Sequence, residues 1–392
     1  MAFETISKPE RALEKLLEYC RGEGWAGYDP YDGLNIDPEL APPLTGKLAR
    51  TALIQLIKRS PINIRPLLGI KKGLNPKGLA LALSALVLLR SHRHDVEADL
   101  AFLAGALSSS RSPHYTEACW GYNFDWQSRA FYAPRGTPNA VCTTFAANAF
   151  LDYYEATGDK SAYETAVSAC RFLLDHLNRT EGPEGLCFSY TPGDTSRVHN
   201  VNLLCAELIS RVFALEGEGK LRAAAEGAVA YTLRAQQEDG SWFYGEAGSQ
   251  RWIDSFHTGF ILVSLKRIGE RLGLDGLRRE LERGYLFYRD RFFLADSTPK
   301  YYHDKLYPVD VHSAAQAVVT FVEMADLMPD ANQMASRCVD WSIDNLQDPA
   351  GYFYFQKQRF YTIRIPYMRW SQAWMLYALS LYTTRNQAKK NV

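Results

Sequence analysis

The sequence predicts an all-α fold: an (α/α)6 toroid with short aromatic β-hairpins at one end. Three observations predict it. A unit recurs five times between residues 110 and 380, its period is 55–60 residues, and no Gly/Ser linker or charge run divides the chain. A fixed period is the mark of a repeat architecture, and a period near 57 holds two ordinary helices and two loops. Each unit needs its neighbours to bury its faces, so the repeats are expected to close into one body.

Each copy has an aromatic hairpin, a loop ending in a polar residue, and an apolar helix rich in small residues. The hairpins are Trp120-Gly121-Tyr122-Asn123-Phe124, Leu186-Cys187-Phe188-Ser189-Tyr190, Gly240-Ser241-Trp242-Phe243-Tyr244, Lys300-Tyr301-Tyr302-His303 and Gly351-Tyr352-Phe353-Tyr354. The polar entries to the following helices are Asn139, His199-Asn200, Asp254, Asp310-Val311-His312 and Arg369-Trp370. Inner helices are expected near 77–90, 139–157, 199–214, 254–271, 310–327 and 368–384, and outer helices near 92–106, 160–177, 218–236, 275–291 and 331–346. Residues 8–22 show helical periodicity and would be the outer partner of a first pair, or an added cap. Residues 23–46, rich in Gly, Pro and Asp but carrying Trp25, Tyr28 and Tyr31, are expected to fold over the mouth or side of the ring. A further helix is expected near 47–59. Pro76 opens the first inner helix, where proline suits the first turn. Residues 1–60 are thus read as an N-terminal helix and irregular loop packed on the toroid, and 61–392 as the toroid itself, a single domain overall.

Composition narrows the function classes. Lys+Arg and Asp+Glu are both 44, so no net charge favours nucleic acid or an anionic membrane as partner. The longest apolar run, Leu79 to Leu89, is too short for a membrane span. Seven cysteines at irregular spacing argue against a disulfide scaffold, and with no signal peptide at the N-terminus they point to a cytoplasmic protein. Aromatic residues make up 13% of the chain, 23 of them Tyr, which suits a large core or a cleft lined with rings.

If every inner helix starts at the same end, the hairpins converge there, together with free helix N–H groups and partial positive charge. That end is the expected ligand site. Asp125, between Phe124 and Trp126, is a candidate general acid or base, or else a loop-capping residue. Asp254 is a second candidate, with N-capping as the plain alternative. His257 lies one turn further in, and equivalent histidines, His199 and His312, follow other hairpins. Asp310 is held in reserve as a further carboxylate. The expected substrate-binding set is Trp120, Tyr122, Trp126, His199, Trp242, Tyr244, His312, Arg364, Tyr367, Arg369 and Trp370, with the arginines suited to a carboxylate or phosphate. No zinc-like spacing, phosphate-binding Gly loop or Gly-x-Ser-x-Gly elbow is present, so no metal or organic cofactor is expected.

Gln237-x-x-Gly240-x-Trp242 resembles the Gln–Trp motif of squalene-cyclase and prenyltransferase toroids, which implies a structural brace. Trp120 to Gln127 with Gly136-Thr137-Pro138-Asn139, Arg364 to Trp374, and Trp252 to Gly259 together resemble the VpsJ-type toroid proteins of bacterial polysaccharide gene clusters. The resemblance runs from about residue 60 to 385. It implies a carbohydrate-active protein of surface- or exopolysaccharide biosynthesis, with an oligo- or polysaccharide and other biosynthesis proteins as partners. The toroid is also similar to those of glucuronyl C5-epimerases, glycosidases and polysaccharide lyases. A hydrolase would use two carboxylates, Asp125 and Asp254. An epimerase or lyase would use a Tyr or His base, Tyr244 or His257, and Arg364 or Arg369 on the uronate carboxylate. A non-catalytic glycan-binding protein would need only the rings and arginines. A terpenoid enzyme is disfavoured because no Asp-x-Asp-Asp run is present.

Overall fold

The computed structural model describes residues 6–40, 42–129 and 131–390. Among these residues six inner helices form a closed ring: α3 (Pro76–Leu89), α5 (Ala140–Thr157), α7 (His199–Glu216), α9 (Ser255–Leu272), α11 (Val311–Glu323) and α13 (Ala373–Lys390). Each packs on the next, and α13 packs on α3. The outer helices are α4 (Glu97–Ser109), α6 (Lys160–His176), α8 (Gly219–Arg234), α10 (Arg278–Phe292), α12 (Ala331–Leu346) and α1 (Lys8–Gly22). The predicted toroid is therefore the observed one. Strands are confined to small antiparallel pieces: β1 (Trp126–Gln127) with β2 (Tyr132–Ala133), β3 (Arg179–Gly182) with β4 (Gly185–Phe188), and β5 (Val309–Asp310) beside β6 (Gln356–Lys357) and β7 (Thr362–Ile363). Most aromatic motifs lie outside these strands, in loops joined by isolated bridges such as Gly121 to Pro138.

Polar caps start α3, α5, α9 and α11, whereas Val198 precedes α7 without a side-chain cap. The side chains of Asn75, Asn139, Asp254 and Asp310 accept backbone N–H groups of the first turns of α3, α5, α9 and α11. The inner helices are buried on nearly every side because they touch two inner neighbours and an outer helix, so they lack a polar stripe. The last inner helix begins later than the sequence suggests: Met368–Gln372 form a π-helical turn and α13 starts at Ala373. Likewise α4 starts at Glu97, after a short 3-10 turn at His94–Val96.

One brace recurs between hairpin and outer helix. Gln236, rather than Gln237, supplies it in the third hairpin: its Nε2 donates to Gly240 O (3.1 Å) and to Glu280 O (3.0 Å). In the last hairpin Gln347 Nε2 donates to Gly351 O (3.1 Å) and to Ala12 O of α1 (2.9 Å). Gly240 and Gly351 have φ of +91° and +100°, and a Cβ on either would lie 2.4 Å from the carbonyl oxygen of Arg283 or Lys15. Thus α1 meets the last hairpin as α10 meets the third. It is the outer helix of the closing pair, partnered with α13 and not with the first inner helix, and the two ends of the chain complete the ring.

The segment between α1 and α3 crosses the mouth. Helix α2 (Lys47–Arg59) and Tyr31 face the opening. Beneath them Arg369 makes a bidentate pair with Asp29 (2.6 and 2.8 Å), and Arg65 bonds Asp32 (2.7 Å) and Tyr367 Oη (2.8 Å). Gly351→Ala is expected to lower the unfolding free energy by about 1–3 kcal/mol, since it adds a positive-φ penalty and a backbone clash at the ring closure. Urea unfolding followed by circular dichroism measures this.

Candidate active site

Both ends of the ring are concave. The cavity at the inner-helix N-termini, the mouth, has a volume of about 750 Å³, and the one at their C-termini about 760 Å³. Volume does not separate them, but chemistry does. At the C-terminal end most charged groups are spent on each other, although Arg271 reaches only the Glu207 carbonyl (3.4 Å). Arg267 bonds Glu207 (2.8 Å) and Glu323 (2.7 Å), Arg211 bonds Asp152 (2.7 Å) and Glu155 (2.9 Å), and Ser264 and Ser84 donate to Glu207 and Asp152. Such closed networks stabilise a wall and leave little to offer a ligand. The mouth instead presents groups without partners.

His257, in the first turn of α9, is held through one ring nitrogen only. The N-cap Asp254 has a fully buried side chain. Its Oδ1 accepts the His257 backbone N–H (3.0 Å), and its Oδ2 faces His257 Nδ1 (2.7 Å) and accepts Trp252 Nε1–H (2.8 Å). A carboxylate can only accept here, so Nδ1 carries the hydrogen and Nε2 is left for the cavity. Tyr244 packs on the same ring at 4.5 Å and stacks on Trp252 at 4.4 Å. His312, at the start of α11, also lines the mouth and has no partner on either ring nitrogen. It lies between Phe256 and Trp374, each at 4.5 Å, and burial together with Lys77, Arg369 and His257 holds it neutral, well below the usual histidine range. The N-cap Asp310 repeats the Asp254 pattern, accepting Trp370 Nε1–H (2.9 Å), Gln356 Nε2–H and the His312 backbone N–H (2.8 Å). Burial raises its pKa.

The structure brings together part of the predicted set. His257, His312, Tyr122, Trp126, Tyr244, Arg369 and Trp370 line the mouth. Asp125 does not: its carboxylate accepts Tyr132 Oη–H (3.0 Å) and the Arg135 backbone N–H (2.8 Å), so it holds the β1–β2 hairpin. Asp254 is enclosed behind His257. The carboxylate pair is therefore replaced by a single His–Asp couple. Trp120 and Trp242 are buried braces that donate to Leu107 O (2.8 Å) and Thr232 O (2.9 Å). His199 lies inside the wall, its pKa lowered to about 4 by burial. Tyr367 is buried on Arg65, and Arg364 is exposed over the Tyr354 ring, away from the mouth. Arg369 reaches the cavity, yet two of its nitrogens are held by Asp29. Burial alone would lower its pKa, and Asp29 more than offsets this. Burial lifts the Tyr244 hydroxyl well above its usual pKa, so it is a proton donor at neutral pH and no base.

Sequence reasoning missed Lys77. It is the one charged residue in the apolar helix α3, which was the available signal. It reaches the mouth with its Nζ 4.3 Å from the Phe145 ring centroid, and burial and then the nearby Arg369 lower its pKa to about 7. Trp252, Tyr190, Phe256, Tyr301 and Lys58 also line the cavity and were not among the expected residues. Among the described residues, no Asp or Glu does. No group of three or more His, Cys, Asp or Glu among them is placed to hold a metal ion, and no helix is long and apolar enough to cross a membrane.

No family model matches the sequence, and no curated protein is similar to it in sequence. The fold is shared with solved structures. A cellobiose 2-epimerase from Bacillus thermoamylovorans superposes with a TM-score of 0.65 at 11% identity, over 80% of this chain and 88% of that one. An unsaturated glucuronyl hydrolase specific for heparin gives 0.63 at 12%, over 97% and 96%. A family 76 α-mannanase from Bacteroides thetaiotaomicron gives 0.61 at 12%, over 80% and 86%. The architecture of this chain is thus one that sugar-processing enzymes use.

Lys77 yields a linkage prediction. Its folded pKa of about 7 is below the usual lysine value, so its burial destabilises the fold most below pH 7. That penalty fades as pH rises toward 10.5, because the unfolded chain binds the extra proton in this window. Lys77→Met is expected to raise stability at pH 7 by on the order of 1–3 kcal/mol, with the gain shrinking as pH rises. Urea titrations at pH 7, 8.5 and 10 measure it.

Proposed function

We propose that this chain is an enzyme that moves a proton at a sugar carbon, as an epimerase or lyase does, and that His257 takes or returns that proton. The observation that carries this reading is a mouth wall with a His257–Asp254 couple and, among the described residues, no acidic side chain. Two-carboxylate glycoside hydrolysis needs an acid and a nucleophile or base flanking the bond. Proton abstraction needs a base within reach of the carbon and an environment that stabilises the resulting charge. Asp254 positions the imidazole by accepting its Nδ1–H. His312, neutral and unpartnered, is the second group able to exchange a proton. The stacked rings Tyr244 and Trp252 offer the apolar faces on which sugars rest.

The resemblance of the Trp120–Asn139 and Arg364–Trp374 segments to VpsJ-type proteins supports a place in surface- or exopolysaccharide biosynthesis. An oligo- or polysaccharide would then be the substrate, and other biosynthesis proteins would be its partners. The cysteines of this chain are free and buried, which supports a reducing, cytoplasmic setting.

The test is solvent exchange. Purified protein is incubated in D2O with glucuronate-containing oligosaccharides, cellobiose and mannose, and deuterium at carbon is read by mass spectrometry. His257→Ala is expected to lower exchange ~10²–10⁴-fold. Asp254→Asn is expected to lower it as well, while Asp125→Asn leaves it unchanged. Loss of activity in Asp125→Asn with retention in His257→Ala would restore the hydrolase reading. Saccharide binding without exchange would make the protein a glycan-binding module.

A further inference from the structure

Lys77 is the second residue of α3 and lies at the floor of the mouth, where the inner helices begin. Its residue is 4% exposed. Its Nζ stands 4.3 Å from the Phe145 ring centroid, 5.1 Å from Trp374 and 5.5 Å from Phe260. That Nζ makes no hydrogen bond or ion pair among the described residues, while the backbone N–H donates to Asn75 Oδ1 (3.1 Å). The charged and titratable groups facing it are Arg369 from the π turn, Cys142 from α5, Asp29 from the N-terminal loop and His312 from α11. Asp29 is the only acid of these, and both its oxygens are already bonded to Arg369. A buried ammonium without a counter-ion is costly, and rings offset only part of that cost. The rest of the wall adds Lys58, Arg59 and Arg129 but no carboxylate.

We propose that Lys77 is the seat for an anionic group, a carboxylate or a phosphate, on the sugar that enters the mouth. The ligand brings the negative charge that the cavity lacks. This rests on the mouth being the sugar site, as proposed above, and it narrows the substrate to acidic sugars. Arg364 is outside the cavity, Arg369 is occupied by Asp29, Lys58 donates to Tyr31 Oη (2.8 Å) and Arg129 to Ser249 O (3.2 Å), so the buried cation offered to a uronate is Lys77. With a uronate, loss of the proton beside the carboxylate moves charge onto the carboxylate oxygens, where a desolvated ammonium stabilises it most. Binding is coupled to protonation. The free amine is half neutral near pH 7, and an anion favours the charged form, so binding at pH 8 takes up a proton and weakens as pH rises further.

Isothermal titration at pH 6 and pH 8, in buffers of different ionisation enthalpy, tests this with three probes: glucuronate, glucose 6-phosphate and glucose. Glucuronate or glucose 6-phosphate is expected to bind at least about tenfold tighter than glucose, with proton uptake at pH 8. Whichever anion binds tighter identifies the group the seat takes. Lys77→Met and Lys77→Gln are both expected to remove the preference and the uptake while leaving glucose binding intact, which also shows that the fold is kept. Equal affinity for glucose and both anions would overturn the proposal, as would an anion preference that persists in both variants. The deuterium exchange assay separates the two readings. Exchange that is unaffected in Lys77→Met and independent of substrate charge sinks the anion seat alone. Lysine-dependent anion binding without exchange sinks the proton-transfer reading alone.

Discussion

The ring is closed by a buried ion pair between its two ends. Asp29 follows the first outer helix and Arg369 precedes the last inner one, and they meet through two hydrogen bonds of 2.6 and 2.8 Å. Arg65, Asp32 and Tyr367 extend the cluster across the same seam. Buried pairs add little net stability over apolar packing, but removing one partner typically costs about 3–5 kcal/mol. The geometry therefore commits the chain to one closure. It also sets the mouth, because Arg369 lies 5.0 Å from the Tyr122 ring centroid and the seam carries α2 and Tyr31 over the opening.

Closure places six helix N-termini around one cavity, and the requirement to cap them shapes its chemistry. Free N–H groups in a dry interior need acceptors. Asp254 and Asp310 supply them and each also takes a tryptophan N–H, so both carboxylates are consumed behind the wall. What faces the lumen is what the caps hold: His257 through its Nδ1, and His312 through the turn that Asp310 caps. The cavity thereby gains imidazoles and cations and, among the described residues, no acid. The opposite end has carboxylates in plenty, yet arginines bind them into a wall. The same residue types thus give a cavity wall with unpaired imidazole and ammonium nitrogens at one end and an ion-paired wall at the other.

Several features were legible because local rules govern them. The period, the capping residues of α9 and α11, and the Pro-led start of α3 follow from helix geometry and N–H satisfaction. His257 and Trp370 line the mouth because they stand where inner helices begin, and Tyr244 lines it from its hairpin. Asp125 was misread: a carboxylate flanked by rings in sequence looks like a site, and only the fold reveals that Tyr132 and the Arg135 amide use it. Gln236 and Gln237 are equally plausible braces along the chain, and the position of α10 selects Gln236. Lys77 escaped notice because a lysine in the first turn of an apolar helix usually reaches water. Here Phe145, Phe260 and Trp374 come from three other repeats to enclose it.

By itself the sequence determined the number of helical pairs, the end at which the aromatic motifs gather, and polar residues that begin several inner helices, Asn139, Asp254 and Asp310 among them. These depend on spacings of a few residues or on one repeat length. Tertiary structure decided which polar residues are caps and which face the cavity, that α1 pairs with α13, and that the acids withdraw while a lysine remains. Those outcomes depend on contacts between residues hundreds of positions apart. The side chain that faces the lumen is set by how neighbouring helices pack around it, and the pattern along one helix does not encode that packing.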